Sequence, residues 1–165
     1  MLDNRGFRLN VGMVLVNAEN KVFWGKRARH KSAWQFPQGG IQAYETLEEA
    51  MYRELDEEVG LASSDVEVLK VTKKWVYYSV PQYVRRSKED PQNAKYQGQK
   101  QRWFLLRLLS DPKKINFHST SSPEFSEFVW VDYWYPMHHV VHFKQSVYYK
   151  VLREFEPILF PNNPK

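Results

Sequence analysis

The sequence predicts an α/β (α+β) fold in which a sheet of long strands is covered by helices. Two β-branched, apolar runs at 11–17 and 21–27 are separated by three residues, which is the pattern of a hairpin. Two helices are indicated, one at 47–59 with signals for both caps and one at 144–155 with apolar residues at helical spacing. A chain of 165 residues with 42% hydrophobic residues can bury one substantial core, so residues 1–165 are predicted to form a single domain.

The other predicted elements are extended segments joined by turns. Four are indicated, at 34–40, 66–80, 100–109 and 125–132. The first is ended by Pro37 and two glycines, and 66–80 is long enough to be one strand or two. A polar, basic and proline-punctuated stretch at 81–99 is predicted to be a long loop, and the tail at 157–165 is predicted to be frayed.

The composition excludes several kinds of site. There are no cysteines, which rules out disulfides, thiolate metal ligands and cysteine nucleophiles and agrees with a reducing cytoplasm. No stretch approaches the roughly 20 apolar residues of a membrane span, and the N-terminus lacks a secretory pattern, so a cytoplasmic protein without a membrane partner is expected. A pI near 9.3 favours anionic partners, although solubility alone also explains a basic protein.

Negative charge is concentrated on one short segment of this basic chain. Residues 45–58 hold seven of the 19 acidic residues and one of the 24 basic ones, Arg53, which leaves a formal charge of +11 for the rest of the chain. Thr46 and Glu49 have the spacing of a capping box, and Gly60 stands where a left-handed C-terminal cap belongs. The acidic segment is therefore predicted to be the helix at 47–59.

A helical wheel divides these acidic residues into two groups. Leu47 lies at the centre of the apolar face, and at about 100° per residue Glu54 and Glu58 lie within roughly 20° of it. Glu57 lies at the edge of the same face. The remaining helical acids project toward solvent, where a charged side chain needs no special role, and they are Glu48, Glu49 and Asp56.

Carboxylates on a face that should be buried must be neutralised, paired or bound to cations. Arg53 can offset only part of their charge, and oxygen-only ligation favours Mg²⁺ or Mn²⁺. Such an ion neutralises phosphoryl charge and lowers the pKa of a bound water, while a further carboxylate can act as a general base. Gly39 and Gly40 allow the backbone to approach a metal or phosphate closely. The segment therefore predicts a metal site for a polyphosphate.

The spacing of these residues resembles the signature of the Nudix hydrolases. All of its fixed positions are present, and they are Gly39, Glu45, Arg53, Glu54, Leu55, Glu57, Glu58, Gly60 and Leu61. Separated segments such as WQFPQGGI, GQKQRWFLL and SSPEF further resemble one branch, the bacterial RNA 5′-pyrophosphohydrolases, also described as dinucleoside polyphosphate hydrolases. The resemblance implies the Nudix fold, a mixed β-sheet sandwiched between helices (α/β/α), which the predicted hairpin, strands and helices support.

The resemblance implies a metal site with a defined set of ligands. They would be the carbonyl of Gly39 and the carboxylates of Glu54, Glu57, Glu58 and, from a loop far along the chain, Glu124. The ions would be Mg²⁺ or Mn²⁺, with more than one ion per site. Glu54 is favoured as the general base, Glu58 belongs to the same catalytic group, and Arg53 is expected to orient a carboxylate of the signature.

The resemblance also implies where a substrate would bind. Arg8 and Arg27 correspond to contacts with the 5′ phosphates, with Gln99 nearby. Three further positions correspond to those that hold the first bases and the RNA backbone, and they are Val141, Phe143 and Lys144. Phe143 is equally well explained as a core aromatic residue.

Two other features bear on substrate binding. The loop at 81–99 interleaves cations with aromatic residues, namely Arg85, Arg86, Lys88 and Lys95 with Tyr83 and Tyr96. This mixture suits single-stranded RNA, and a solvated charged loop explains it equally well. Gln42, Ala43 and Tyr44 stand where the resembled family usually has Asn-Pro-Gly. The histidines at 138, 139 and 142 lack matching carboxylates and are expected at the surface or core edge, without a metal.

Three functions fit the sequence. The first is an RNA 5′-pyrophosphohydrolase that converts the 5′ tri- or diphosphate of RNA to a monophosphate and so initiates mRNA decay. The second is hydrolysis of dinucleoside polyphosphates such as diadenosine polyphosphates at the same metal site. The third is a catalytically silent RNA-binding module, against which the complete set of signature carboxylates argues. The expected partner is 5′-phosphorylated RNA, and the sequence does not specify a protein activator.

Overall fold

The computed structural model describes residues 1–30, 33–85 and 95–162, and within them it forms one mixed eight-stranded sheet with three α-helices. The strands are β1 (Phe7–Val16), β2 (Val22–Arg27), β3 (Trp34–Gln35), β4 (Gln38–Gly40), β5 (Val66–Val71), β6 (Val76–Ser79), β7 (Gly98–Leu108) and β8 (Phe125–Val131). The helices are α1 (Leu47–Val59), α2 (Tyr135–His139) and α3 (Gln145–Leu159). Short 3₁₀ turns lie at Ser63–Asp65, Pro112–Lys114 and His142–Lys144.

Strand β1 is the centre of the sheet. One edge pairs in parallel with β7 along the whole strand, from Phe7 opposite Gly98 to Val16 opposite Arg107. Two strands share the other edge of β1: β4 pairs antiparallel with the middle of β1, and β2 pairs only with the end of β1. Strands β5 and β6 extend the sheet beyond β7, and β3 and β8 extend it beyond β2. The site segment β4 is thus fixed against the most central strand.

Alternating side chains of the central strands bury the two long helices on opposite faces. Met13 and Leu15 of β1 pack with α1, whereas Val14 and Val16 pack with α3. The same alternation runs along β7, because successive side chains of a strand point to opposite faces. This sandwich of a mixed sheet between helices confirms the predicted α/β/α fold.

The structure differs from the sequence prediction mainly at the ends of elements. Pro37 separates β3 from β4. Of the two alternatives for the segment at 66–80, one strand or two, the structure has two, β5 and β6. The hairpin is short, because β2 leaves β1 after Val22 and pairs with β8 instead. Sequence analysis missed α2, a single short turn of helix with Pro136 near its start. Of the described helices, none is long and apolar enough to cross a membrane.

Two predicted boundaries are also different. Helix α3 continues through Pro157 to Leu159, and the ring of Phe160 packs edge-on against Tyr133 at 5.4 Å. The tail predicted as frayed from 157 is therefore ordered up to this contact. Within the loop predicted at 81–99, Gly98 and Gln99 already belong to β7. Its cations Arg86 and Lys88 lie outside the described residues, as does the end of the tail.

Tyr148 of α3 ties the helix to the strands that carry the site. Its buried ring stacks on Phe36 at 4.7 Å, and its hydroxyl accepts a hydrogen bond of 3.0 Å from the Phe36 N–H. Phe36 stands between β3 and β4, where its N–H has no strand partner in the sheet pairing. A side chain on one helix therefore satisfies the backbone next to the site.

Removing this hydroxyl should destabilise the protein. In Tyr148→Phe the ring stays packed while the buried Phe36 N–H loses its acceptor, which costs about 1–3 kcal/mol of the free energy of unfolding. Urea denaturation followed by tryptophan fluorescence measures this loss. Tyr149→Phe, on the exposed side of the same turn, serves as the control and should be nearly neutral. Equal stability of the two variants would contradict the assignment.

Candidate active site

Helix α1 places its acidic residues as the helical wheel predicts. The capping box is present, with the Glu49 N–H donating to Thr46 Oγ1 at 3.1 Å and the Thr46 N–H donating to Glu49 Oε2 at 2.8 Å. Gly60 ends the helix in the left-handed conformation, with φ of 73°. Glu54 and Glu58 are each only 8% exposed. Glu57 is half-buried, and Glu48, Glu49 and Asp56 are exposed.

Arg53 is the cation that holds part of this acidic face. Its guanidinium donates to both carboxylate oxygens of Glu45, to Glu54 Oε1 at 2.7 Å, to Glu57 Oε2 at 3.4 Å and to the Gly40 carbonyl at 2.8 Å. The hydrogen bond that Arg53 donates to Glu45 is the main cause that raises the pKa of Arg53, with Glu54 adding to it. Arg53 therefore stays charged and fixes the orientation of Glu54, which agrees with the orienting role expected for it.

Strand β4 packs directly on the buried carboxylates. A Cβ atom at Gly39 would lie 1.9 Å from the carboxyl carbon of Glu54, so a side chain at this position would displace Glu54. At Gly40 a Cβ atom would meet nothing within 4 Å, so packing does not require the second glycine. The Gln38 N–H donates to Glu58 Oε2 at 3.1 Å. One short strand thus contacts Glu54 through a glycine and Glu58 through a backbone amide.

Glu58 lies at the point where the negative charges converge. Burial is the main cause that raises its pKa well above the ordinary value, and the neighbouring charges of Glu54, Glu124 and Glu57 raise it further. The Gln38 N–H works in the opposite direction, as does the charge of the neighbouring Lys144. Burial also raises the pKa of Glu54, where the ion pair with Arg53 opposes it. The charge of Glu58 is therefore the least compensated in the site.

The donor set fits a divalent cation, although it is not arranged as a finished cage. Within the described ranges, no three carboxylate or histidine side chains lie close enough together to form a metal cluster. The reason is that cations already hold the acids, with Arg53 on Glu54 and Glu57 and with Arg27 Nε on Glu124 Oε1 at 3.1 Å. All the donors are oxygen atoms, and Glu58 forms no salt bridge with a described residue, so the site suits a hard divalent ion that would compete with these arginines.

A cavity of about 560 Å³ opens beside Glu58 and Glu124 and is lined mainly by cationic, amide and aromatic side chains. It contains five of the six residues predicted to contact substrate, which are Arg8, Arg27, Gln99, Phe143 and Lys144. Val141 is not among the lining residues and is 43% exposed. The sequence did not point to Gln35, Gln38 or Tyr78, although each lines this cavity. Arg85 and Tyr96, which were considered for RNA binding only as part of the loop at 81–99, line it as well.

Several cations of the cavity are not neutralised by acids. In the described part of the chain, Arg8, Arg85 and Lys144 make no ion pair with a carboxylate. Arg8 lies over the Tyr96 ring at 5.2 Å, and the buried Lys144 Nζ donates to Gln35 Oε1 at 2.9 Å. Burial lowers the pKa of Lys144 to about 8, so its ammonium is largely charged at neutral pH. The cavity is therefore suited to an anionic ligand.

A buried network of amide side chains supports β4, the strand whose Gln38 N–H donates to Glu58. Gln101, which is fully buried on β7, donates to Asn10 Oδ1 at 2.8 Å and to Gln38 Oε1 at 3.2 Å, and it accepts from Trp103 Nε1 at 3.1 Å. These bonds tie β1, β4 and β7 together behind the carboxylates. The sequence carries little signal for this network, because Gln101 stands between Lys100 and Arg102 in the polar half of β7, and only its burial shows that its amide must have partners.

The turn before α1 contains a strained residue. Tyr44 has a φ of 67° and its side chain is fully exposed. The Glu45 N–H donates to the Gln42 carbonyl at 3.2 Å and the Gln42 N–H donates to Glu45 Oε2 at 2.8 Å, which closes the turn. A tyrosine here adopts a backbone conformation that a glycine takes without strain. Position 44 is the one where the resembled family usually has glycine.

Comparison with protein families agrees with this geometry. A family model described as the NUDIX domain matches residues 6–155 of the chain. The chain belongs to the Nudix family. It is 52% identical over 164 residues to an RNA pyrophosphohydrolase of Haemophilus influenzae (strain PittEE), covering 99% of this chain and 82% of the relative. It is 49% identical to an RNA pyrophosphohydrolase of Alkalilimnicola ehrlichii, covering 98% and 87%.

Solved structures show the same Nudix fold at low sequence identity. The E. coli dihydroneopterin triphosphate pyrophosphohydrolase has a TM-score of 0.67 and 16% identity, covering 90% of this chain and 98% of that one. A C. elegans Ap4A hydrolase has a TM-score of 0.61 and 15% identity, covering 91% and 97%. Nudix hydrolases generally depend on a divalent metal. The predicted family and fold are thus confirmed.

Neutralising Glu58 should stabilise the Nudix chain when divalent ions are absent. Because the folded pKa of Glu58 is raised, its own contribution to stability is fully present below the ordinary value of 4.5 and is lost as the pH rises through the folded pKa. Glu58→Gln removes this penalty and keeps an acceptor for the Gln38 N–H. Thermal unfolding in EDTA at pH about 8 should therefore show a higher Tm than for wild type.

Asp56→Asn, an exposed acid of the same helix, is the matched control and should leave the Tm and its pH dependence unchanged. A divalent ion added to the wild type should recover the stability that Glu58 costs and should act less on Glu58→Gln. A lower Tm for Glu58→Gln in EDTA would contradict the electrostatic account.

Releasing the strain at position 44 should also raise stability. Left-handed backbone costs an L-residue about 1–2 kcal/mol, and the greater freedom of unfolded glycine offsets part of the gain. Tyr44→Gly is therefore expected to stabilise the Nudix domain by about 1 kcal/mol, or roughly 2–4 °C in Tm. Tyr44→Ala removes the same ring and keeps the strain, so calorimetry should place it at or below wild type. A Tm of Tyr44→Gly no higher than that of Tyr44→Ala would refute the strain.

Proposed function

We propose that this chain is an RNA 5′-pyrophosphohydrolase that hydrolyses the 5′ tri- or diphosphate of RNA to a 5′-monophosphate. The observation that carries the proposal is the buried Glu58, which forms no salt bridge within the described residues, at the wall of a cavity whose cations Arg8 and Lys144 form none there either. This arrangement suits a metal ion and a polyphosphate side by side. The names of the relatives at about 50% identity support RNA as the substrate class.

Glu54, Glu57, Glu58, Glu124 and the Gly39 carbonyl are proposed to hold Mg²⁺ or Mn²⁺, with more than one ion per site. When bound, such ions would neutralise charge on the phosphoryl group and lower the pKa of a water molecule. Gly39 lies on the strand that packs directly on Glu54, so its backbone and that carboxylate belong to the same site. Glu124 comes from the segment before β8 and faces Glu58 across the site.

Glu54 is proposed to act as the general base. Its Oε1 is held by Arg53 at 2.7 Å, which leaves Oε2 to accept a proton from the attacking water. Burial raises the pKa of Glu54 above its ordinary value, and a carboxylate of higher pKa is a stronger base. Arg53 limits this shift and fixes the side chain in one orientation. Arg53 is thus a positioning residue in this proposal.

The cationic side of the cavity is proposed to bind the 5′ phosphates. Arg27 uses Nε to hold Glu124, so the other nitrogens of its guanidinium can donate to a phosphate. Arg8 and Lys144 would contribute two further charges, with Gln99 beside Arg8 through their shared neighbour Tyr96. Phe143 lies at the same cavity and offers an aromatic face to the first bases. With RNA as substrate, we place the protein in the cytoplasm and its activity at the start of mRNA decay.

A side-by-side assay tests this function. Purified protein with Mg²⁺ is given 5′-triphosphorylated RNA and diadenosine polyphosphate, and kcat/KM is measured for each. RNA should be the better substrate. Glu57→Gln and Glu58→Gln should each lower kcat/KM by about two to four orders of magnitude, since each removes a carboxylate that is proposed to hold the metal ion.

Asp56→Asn is the matched control on the same helix and should retain full activity. Much faster turnover of the dinucleotide than of RNA would replace the proposal by a dinucleoside polyphosphate hydrolase. Equal inertness of wild type and both variants on every substrate would instead favour a catalytically silent RNA-binding module.

A further inference from the structure

The segment that follows β8 has an unusual charge pattern. Residues 133–153 contain no aspartate or glutamate, although the chain as a whole carries 19 acidic residues. They contain two lysines, one arginine and three histidines. The acids that flank the segment are engaged elsewhere, because Asp132 pairs with Lys21 and Glu154 accepts from the Lys73 N–H at 3.1 Å. This segment therefore adds no acidic side chain to the surface of α2 and α3, and its exposed cations are Lys150 and Arg153, because Lys144 is buried and lines the cavity.

Exposed aromatic rings accompany this charge. The Tyr135 ring stacks on His139 with centroids 3.8 Å apart, and Trp134 lies 6.0 Å from Tyr149. Tyr135 and Tyr149 are 41% and 43% exposed. Arg153 lies over the Tyr149 ring at 5.9 Å and donates to its hydroxyl at 2.9 Å. We call these five residues the α2–α3 aromatic face, and its rings are already held in place by their neighbours.

The α2–α3 aromatic face is continuous with the cavity. Phe143 lines the cavity, and the ring of His142 contacts it edge-on at 5.5 Å. Val141 and His142 are exposed, and His139 lies three residues before His142, so their Cα atoms are at most about 10 Å apart. A ligand that leaves the cavity past Phe143 thus reaches the stacked pair of Tyr135 and His139 without crossing an acidic residue of this segment.

We propose that the α2–α3 aromatic face binds the single-stranded RNA that extends beyond the nucleotides in the cavity. This inference rests on the proposed function and adds a second contact region to it. Aromatic rings interleaved with cations bind single strands without sequence preference, because every base has a face to stack and every nucleotide carries a phosphate. Rings that are fixed before binding lose little conformational freedom when a base stacks on them. The absence of acids favours RNA over a basic or neutral protein surface.

The length of the substrate tests the inference. The KM is measured for a triphosphorylated trinucleotide and for a dodecanucleotide of the same 5′ sequence, with wild type, Tyr135→Ala and Tyr149→Ala. The face should give the wild type a lower KM for the dodecanucleotide. Each substitution should raise that KM by about tenfold, which is the loss of one stacked base, and should leave kcat and the trinucleotide unchanged. Arg153→Gln should weaken the salt dependence of the dodecanucleotide KM.

Tyr149→Phe keeps the ring and is the conservative control, so it should bind the dodecanucleotide as the wild type does. If wild type and all variants treat the two RNAs alike, the inference is overturned while the proposed function stands. If the wild type leaves both RNAs intact, the proposed function falls and the inference with it. An unchanged dodecanucleotide KM with a Tyr149-dependent oligomeric state by light scattering would assign the face to a second copy of the chain and overturn the inference.

Discussion

The burial of Glu54 and Glu58 against β4 is the constraint on which the rest of the site depends. The carboxylates of Glu54 and Glu58 are buried, and Glu54 lies so close to β4 that there is no room for a side chain at Gly39. Their charge must then be answered locally, since leaving such charges unpaired is costly. Arg53 compensates part of this negative charge, and the raised pKa of Glu58 shows that the compensation is incomplete. The Nudix signature thus places several carboxylates at one site, with fewer cations than are needed to pair with all of them.

The surrounding cations are divided between two tasks. Arg53 and Arg27 hold acids of the site, whereas Arg8, Arg85 and Lys144 face the same cavity without an acidic partner. A cavity with cations on one side and carboxylates on the other suits a ligand that combines an anion with a cation, such as a metal-bound polyphosphate. The chain outside residues 45–58 has a formal charge of +11, and some of these cations line the cavity beside the acidic helix. Their role is therefore not limited to solubility.

Sequence predicted the parts of this arrangement that depend on local spacing. The bounds of α1, its capping box and the burial of Glu54 and Glu58 follow from residues within one helix. Family resemblance supplied Arg8, Arg27 and Lys144, which lie far apart in the chain. The amide network of Gln101, the cavity position of Arg85 and the ends of the strands escaped prediction because they depend on which strands pair. Tyr44 was noticed as a departure, but its left-handed backbone follows from turn closure rather than from its identity.

The parallel pairing of β1 with β7 also affects how the protein reaches its folded state. The two strands are about 90 residues apart in sequence, and everything that forms the acidic helix lies between them. Contacts that close so long a loop form slowly, because the entropy of the intervening chain is lost before the contacts are gained. During synthesis α1 can form early as a local element, whereas β1 keeps one edge unpaired until β7 has been made. The cations of the cavity and the carboxylates of α1 are thus brought together only late in folding.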